Sequence, residues 1–548
     1  MQEKEFNLLE EPWIKVSTIS MEQKEVSLLD AVLHAHEYTD LAGEMPVQDA
    51  ALLRLLLAAA QTVFYRYDEN GEKEEISGEN DSDEDTVMER WENYWNRGKF
   101  PEAAVKQCLE AYRNKFWLFH SETPFYQVND LQYGTDYGVE CLLGNMKESN
   151  NKATKHHFSM AEGEKLERIS YAEAARWLIF LNAYGVNIKA DKNAPGTKQP
   201  VGTGRLGQLG FVMVNGDNLF RILMLNLCPL KSGGNIWKTP KTVWEQEAHV
   251  EQGREIAPPD NLPELYTIQS RRIMLKKKDG FVIGFRALGG DFYSVEDDFN
   301  EPMTLWKESK ADKKAERKVY IPKVHQSAIH AWEEFPTLMD MENAGHIPGI
   351  VQWLKKLKKE KILDSNTLLT FRMLGMVYGD KMKYTYGDCV NDTLMLSAEL
   401  LSELGQEWIG SVVDEVGKCQ AVATGALKHF SSNVGGLLYG GSDGKAKVKD
   451  TLIRTYYCHI DSAFRAWLAS IRPMESSRGE KMAEWEEKSY HYAKQTVEDY
   501  VSMRNMNIYV HREEDGKLLS VPQSMNAYFR ELKRIYPKVA EPAGKDKS

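Results

Sequence analysis

From about residue 376 onward, apolar side chains recur at helical spacing in four successive stretches. They are Leu394, Leu400, Leu401 and Leu404; then Leu452, Tyr456, Ile460, Phe464, Trp467 and Ile471; then Trp485, Val497, Tyr500 and Val501; and finally Met525, Tyr528, Phe529, Leu532 and Ile535. A helix with one apolar stripe must bury it against another element, so four stripes joined by polar or glycine-rich connections predict a four-helix bundle over 376–548. Upstream, the helical pattern of Leu52, Leu53, Leu56, Leu57 and Ala60 alternates with β-like runs, YTIQ near 266 and FVIGF from 281. Residues 1–375 therefore read as a mixed α/β domain, and the chain as α+β. At 548 residues it is longer than one hydrophobic core supports.

The N-terminal stretch FNLLEEPWIKV, 6–16, is a strand and not a secretion signal. Glu3, Glu5, Glu10 and Glu11 interrupt any apolar run, whereas Pro12 suits the start of a strand and Trp13, Ile14 and Val16 favour extended backbone. No run approaches the roughly 20 uninterrupted apolar residues of a bilayer span, so a soluble protein without a membrane partner is expected. The six cysteines are scattered with no CxxC pair, which reads as reduced thiols in the cytoplasm. Residues 68–85 hold ten carboxylates against one Lys and read as a solvated loop. That loop contributes much of the net charge of -12, so a basic surface elsewhere remains compatible with the sum.

Catalytic groupings are poor. His34 and His36 fall on different faces, His156 and His157 lack companion ligands, and His120 follows an aromatic run typical of a core histidine. No catalytic residue, metal site or cofactor is predicted. Gly202, Gly204 and Gly207 match GxGxxG, a nucleotide-binding pattern, but Pro195 and Pro200 oppose the strand that should precede it. A glycine backbone that closely approaches another ligand is the second reading. GGSDGK at 440–445 fails as a phosphate loop, having Tyr439 and Ala446 in place of the required Gly and Ser or Thr.

The cations are more informative. Apolar periodicity fails from 130 to 165 and from 185 to 210, and loops of that length are functional or disordered. The first contains Lys152, Lys155, His156 and His157 ahead of Phe158; the second contains Lys189, Lys192, Asn193, Gly196, Lys198, Gly202, Gly204 and Arg205. Arg271 and Arg272, Lys276 to Lys278, and KESKADKKAERK follow. Cations beside flexible glycine backbone and an aromatic suit a phosphate chain with unstacked bases, while each cluster alone also suits a solvated surface. A nucleic-acid reader, a nucleotide-dependent enzyme and a protein-binding scaffold are the competing classes.

Six stretches together resemble one family, the large subunit (CasA) of the type I-E Cascade surveillance complex. They are FNLLEEPWIKV, LFHSETPFYQV at 118–128, PVGTGRLGQLG at 200–210, LYTIQSRR at 265–272, EPMTLW at 301–306 and VYGD at 377–380. The resemblance implies a non-catalytic antiviral subunit that recognises the short motif adjacent to a DNA target, promotes strand separation and helps recruit a helicase-nuclease. Its implied partners are guide RNA, double-stranded target DNA, the other Cascade subunits and that nuclease. By the same resemblance Lys152, Lys155, His157 and Phe158 belong to a loop against the guide and the motif. Residues 185–207 correspond to a glycine loop that meets DNA through its backbone, and Arg271 and Arg272, read from the basic clusters, are expected as further nucleic-acid contacts. Lys381, Met382 and Lys383 occupy the strand-separating wedge, where the family carries a Gln.

Overall fold

The computed structural model describes residues 4–79, 83–145, 167–194, 202–231, 235–247, 253–293, 301–309, 319–339, 346–379, 386–439, 441–503, 511–514 and 517–540. The protein mixes helix and strand and divides into two compact units. The first comprises 1–329, 343–356 and 370–393; the second comprises 330–342, 357–369 and 394–548. The chain thus passes between units several times, instead of once near residue 375. The strands Leu368–Tyr378 and Tyr386–Ser397 occupy part of the region expected to be all helix.

In the first unit, β1 (Lys4–Asn7) pairs antiparallel with β5 (Trp117–His120), while β2 (Ile14–Thr18) lies between β3 (Gln23–Val26) and β4 (Tyr38–Leu41). FNLLEEPWIKV therefore spans two strands and the turn between them. Trp13 is fully buried, and its indole N–H donates to the Leu8 carbonyl at 2.9 Å, closing that turn. Its own carbonyl accepts from Arg176 Nη1 at 2.6 Å, and the rest of that buried guanidinium is matched by Glu44 and Glu25. Burial of the indole and satisfaction of the polar groups around it explain why an aromatic follows Pro12 here. β6 (Thr135–Gly138), β8 (Arg271–Lys278) and β9 (Phe281–Gly289) form a second sheet in the order β6-β9-β8. A third sheet joins β7 (Phe211–Asn215) to the Leu368–Tyr378 strand, with Phe371 opposite Val214.

The core of this unit is the helix Pro46–Arg66, which begins with Pro at its first position and is buried along almost its whole length. By length and composition alone it would pass as a membrane span, but Asp49 and Arg54 interrupt its apolar run, in line with the expectation of no uninterrupted span. Packing on every side accounts for the all-round apolar surface. Within it Arg54 forms a two-pronged buried pair with Glu301, at 2.7 and 3.0 Å, and lies 3.9 Å from the Tyr266 ring centre. YTIQ is not a strand: Tyr266 closes the short helix Leu262–Tyr266, capped by Asn261 with Pro263 at its start, and Thr267 to Gln269 follow as turn and irregular chain ahead of β8.

In the second unit the stripe at Leu394 to Leu404 is also not a helix. It comprises a strand end followed by short 3-10 turns, the first capped by the Ser397 hydroxyl. The longer helices are Gln406–Ala421 continuing through a π segment into Leu427–Leu438, then Gly441–Ala469, Arg478–Ser502 and Val521–Ile535. Phe464, Trp467 and Trp485 interlock at ring separations of 4.9 to 5.3 Å, and Ser489 shares a 2.7 Å hydrogen bond with the Tyr536 hydroxyl.

One ammonium, Lys418, serves two carboxylates in this unit, Glu415 at 2.7 Å and Glu486. Glu415 is 2% exposed, and burial raises its carboxyl pKa to about 7 against the lowering effect of Lys418. The folded state holds that proton more tightly than the unfolded chain, so the stabilisation is complete below about pH 4.5 and is lost as pH rises through about 7. Glu415→Gln keeps an acceptor for Lys418 without the buried charge. It is expected to be more stable than the parent at pH 8, by roughly 2 kcal/mol, with the difference vanishing near pH 4.5; chemical denaturation at the two pH values measures this.

Candidate nucleic-acid interface

The second polar loop leaves the helix Tyr171–Tyr184 at Gly185 and runs along the edge of the β6-β9-β8 sheet. Four hydrogen bonds fix its course. Lys189 N–H donates to the Tyr137 hydroxyl at 2.9 Å, and the Lys189 carbonyl accepts from Thr135 Oγ1. Asp191 accepts from the Gly134 and Asn193 backbone N–H groups, which holds its carboxyl below the usual range. With its backbone tied down in this way, the segment leaves Lys189, Lys192 and Asn193 exposed.

The far end of the loop returns to the same helix. Gly204 N–H donates to the Gly185 carbonyl at 2.8 Å, and a side chain at Gly204 would lie 2.5 Å from Ala183 backbone atoms. At Gly207 a Cβ would meet the Tyr378 hydroxyl at 2.1 Å. These two glycines are required by close approach of the chain to itself, so the phosphate-cradling reading of the GxGxxG pattern loses two of its three residues. Gly202 differs, since only Gln208 Nε2 lies near its missing Cβ, at 3.7 Å.

Arg271 joins the two ends. Its Nη2 donates to the carbonyls of Gly185 at 3.0 Å, Val186 at 3.2 Å and Gly202 at 2.5 Å, while Nη1 donates to the carbonyl and hydroxyl oxygens of Ser270. The residue is 2% exposed, and burial lowers its pKa to about 10, leaving the cation intact at neutral pH. Arg272 is fully buried and pairs with Asp291 at 2.6 Å, and Arg205 is buried over the Tyr293 ring. The expectation that Arg271 and Arg272 face nucleic acid is corrected: both face inward, and Arg271 sets the loop's shape. The reason lies in register, because β8 begins at Arg271, deep in the sheet, and emerges only at its other end.

At that emerging end Lys276 pairs with Asp136 at 2.9 Å and Lys277 with Glu5 at 2.7 Å. Lys278 is exposed, beside a turn in which Asp279 and Gly280 both adopt positive φ. Two such residues are what a tight hairpin requires, and the Asp-Gly pair signals it in sequence. Lys278 is thus a displayed cation that cluster counting alone does not separate from its paired neighbours. Lys152, Lys155, His157, Phe158, Gly196, Lys381, Met382 and Lys383 lie outside the described residues. His120 is a satisfied buried residue, its Nδ1 accepting from the Glu122 and Thr123 N–H groups.

The whole architecture has close counterparts. Cse1 of Thermobifida fusca superimposes with a TM-score of 0.79 at 24% identity, covering 98% of this chain and 99% of that one. A chain of a CRISPR RNA-guided surveillance complex matches with a TM-score of 0.71 at 15% identity, over 97% and 100% of the two chains. In sequence, the CRISPR-associated protein CasA/Cse1 of Thermus thermophilus is 26% identical over 517 residues, 88% of this chain and 91% of that protein. The fold is that of a Cse1-type CRISPR protein. Residues 7–496 match the family CRISPR-associated protein Cse1, and the chain belongs to that family, the one to which the six sequence stretches pointed.

The glycine contacts generate a paired expectation. Gly204→Ala drives a methyl into the Ala183 carbonyl and is expected to lower the melting temperature by several degrees, whereas Gly202→Ala leaves it nearly unchanged. Differential scanning calorimetry of the two variants measures the contrast.

Proposed function

We propose that this chain is the non-catalytic large subunit of an RNA-guided antiviral surveillance complex, and that it reads the short motif beside the DNA target. In this reading the chain binds and positions, while a recruited helicase-nuclease performs the cleavage. Guide pairing supplies sequence specificity, so the subunit's contacts need only tip a nearly balanced strand exchange, a division of labour known from another RNA-guided effector class.

The observation that carries the reading is the display of Lys189 and Lys192 on a segment whose backbone is tied to one sheet edge, with Lys278 at the hairpin end of that same sheet. Cations held by rigid backbone position a duplex without reading bases, and the open space beside the half-buried Gly202 suits the close approach that shallow groove contacts need. Lys152, Lys155, His157 and Phe158 are assigned to the guide and its neighbourhood, and Asn193 and Gly196 to the DNA beside Gly202. Lys381, Met382 and Lys383 connect two neighbouring strands and are assigned as the wedge, an apolar side chain between cations being suited to insertion between base pairs. The helical unit is assigned to subunit and nuclease docking. Tight packing at Gly204 and Gly207 disfavours the nucleotide-enzyme reading.

Reconstitution with guide RNA and the companion subunits tests the proposal. Lys189→Glu with Lys192→Glu is expected to weaken target-duplex binding by roughly tenfold or more and to reduce its salt dependence. Lys152→Glu with Lys155→Glu is expected to act in the same direction. Unchanged R-loop formation in both double variants, or in complexes lacking the chain, rules out the reader and favours a scaffold.

A further inference from the structure

The hairpin joining β2 to β3 ends in a short turn, Ile19 to Glu22, whose shape is fixed by its own polar groups. Met21 N–H donates to the Thr18 carbonyl at 2.9 Å, Thr18 N–H to the Glu22 carbonyl at 2.8 Å, and Glu22 N–H to the Thr18 hydroxyl at 3.2 Å. A 2.9 Å hydrogen bond between the Thr18 and Ser20 hydroxyls completes the turn. From this tip Ile19 and Met21 project into solvent, 71% and 80% exposed. Single exposed apolar residues are ordinary, but no other turn among the described residues displays two large ones side by side.

Met21 also holds a strained backbone. Its φ is +64°, in the left-handed region that favours glycine at the last position of such a turn. The other non-glycine residues in that region among the described ones are accounted for. Phe6 packs edge-on against the Tyr171 ring at 5.9 Å, and Tyr126 is buried against Phe125. Asp130 and Asp279 carry the short polar side chain that tolerates this conformation, and Lys361 is polar. Met21 alone is apolar and unpacked, so the free chain bears both the strain and the exposed side chain without any packing to offset them. Strained residues of this kind collect at contact sites, where a partner supplies the missing packing.

The charges around the turn select the partner. Lys24 lies 4.8 Å over the Tyr38 ring and Glu25 pairs with Arg176 at 2.8 Å, which leaves the exposed Glu22 as the charge of the turn itself. An anionic phosphate chain repels such a tip, whereas it attracts Lys189, Lys192 and Lys278. An apolar pocket with a cation at its rim accepts it. We infer that the Ile19–Met21 turn is a preformed anchor that inserts into an apolar, basic-rimmed pocket on a companion protein subunit of the surveillance complex. The inference rests on the reading of this chain as a subunit of that complex, but not on its recognising a DNA motif. Because the turn is rigid before contact, association loses little ordering entropy there.

The test is association of the full chain with guide RNA and companion subunits assembled without it, followed by biolayer interferometry. Ile19→Ser combined with Met21→Gly is expected to weaken association about tenfold or more, since two large apolar side chains lose their burial. The melting temperature of that variant is expected at or slightly above the parent's, because glycine relieves the positive φ, and this separates lost contact from misfolding. Glu22→Lys is expected to weaken association several-fold, most strongly at low salt. Equal affinity of the double variant and the parent overturns the anchor, and a parent chain that fails to join the companions overturns it as well. So does unchanged association combined with lost duplex affinity in the assembled variant complex, which assigns the tip to nucleic acid. Unchanged association combined with loss of a self-association seen in the parent overturns it too, and assigns the tip to a second copy of this chain. If R-loops form without the chain, the reader proposal fails while the association measurement still decides the anchor.

Discussion

Five hydrogen bonds from one guanidinium hold the glycine loop in place. Arg271 reaches Gly185 and Val186 at the loop's start, Gly202 at its end and Ser270 beside it, so that segments distant in sequence are fixed to the edge of one sheet. Charged donors on neutral carbonyls make stronger hydrogen bonds than neutral donors do, and burial strengthens them further. The glycines then follow as a consequence. A loop held this closely leaves no room for a Cβ at Gly204 or Gly207.

That constraint separates cations by role. An arginine at the buried start of β8 shapes the loop, whereas Lys278 at the strand's far end and Lys189 and Lys192 on the loop meet solvent. The chemistry matches: guanidinium offers five donors in a fixed fork, suited to several carbonyls at once, and lysine keeps a hydrated point charge on a flexible stem. An acidic chain can therefore still display single cations, because carboxylates beside them are themselves engaged. Asp136 accepts both Lys276 and Arg286, and Asp191 is held by backbone N–H groups.

Much of this was legible in the sequence. Apolar periodicity located the long helices from Gly441 onward, whose stripe residues Leu452, Tyr456, Ile460 and Phe464 are all buried, and FVIGF is the strand expected. Leu394 to Leu404 misled because a strand end and short turns placed leucines at helix-like intervals, and YTIQ misled because its Tyr closes a short helix and the next three residues form turn and irregular chain ahead of β8. The roles of the individual cations were not legible. Arg271 and Lys278 lie in one basic stretch, and only strand register and burial distinguish an internal clamp from a displayed cation.

Hydrogen exchange measured by mass spectrometry on the reconstituted complex, with and without target duplex, tests the central claim most directly. The account predicts slow exchange at the Gly204 amide in both states, and new protection on duplex binding in peptides covering 186–194 and 276–281. Rapid exchange at Gly204 in the free complex, or duplex-induced protection confined to other surfaces, would contradict it.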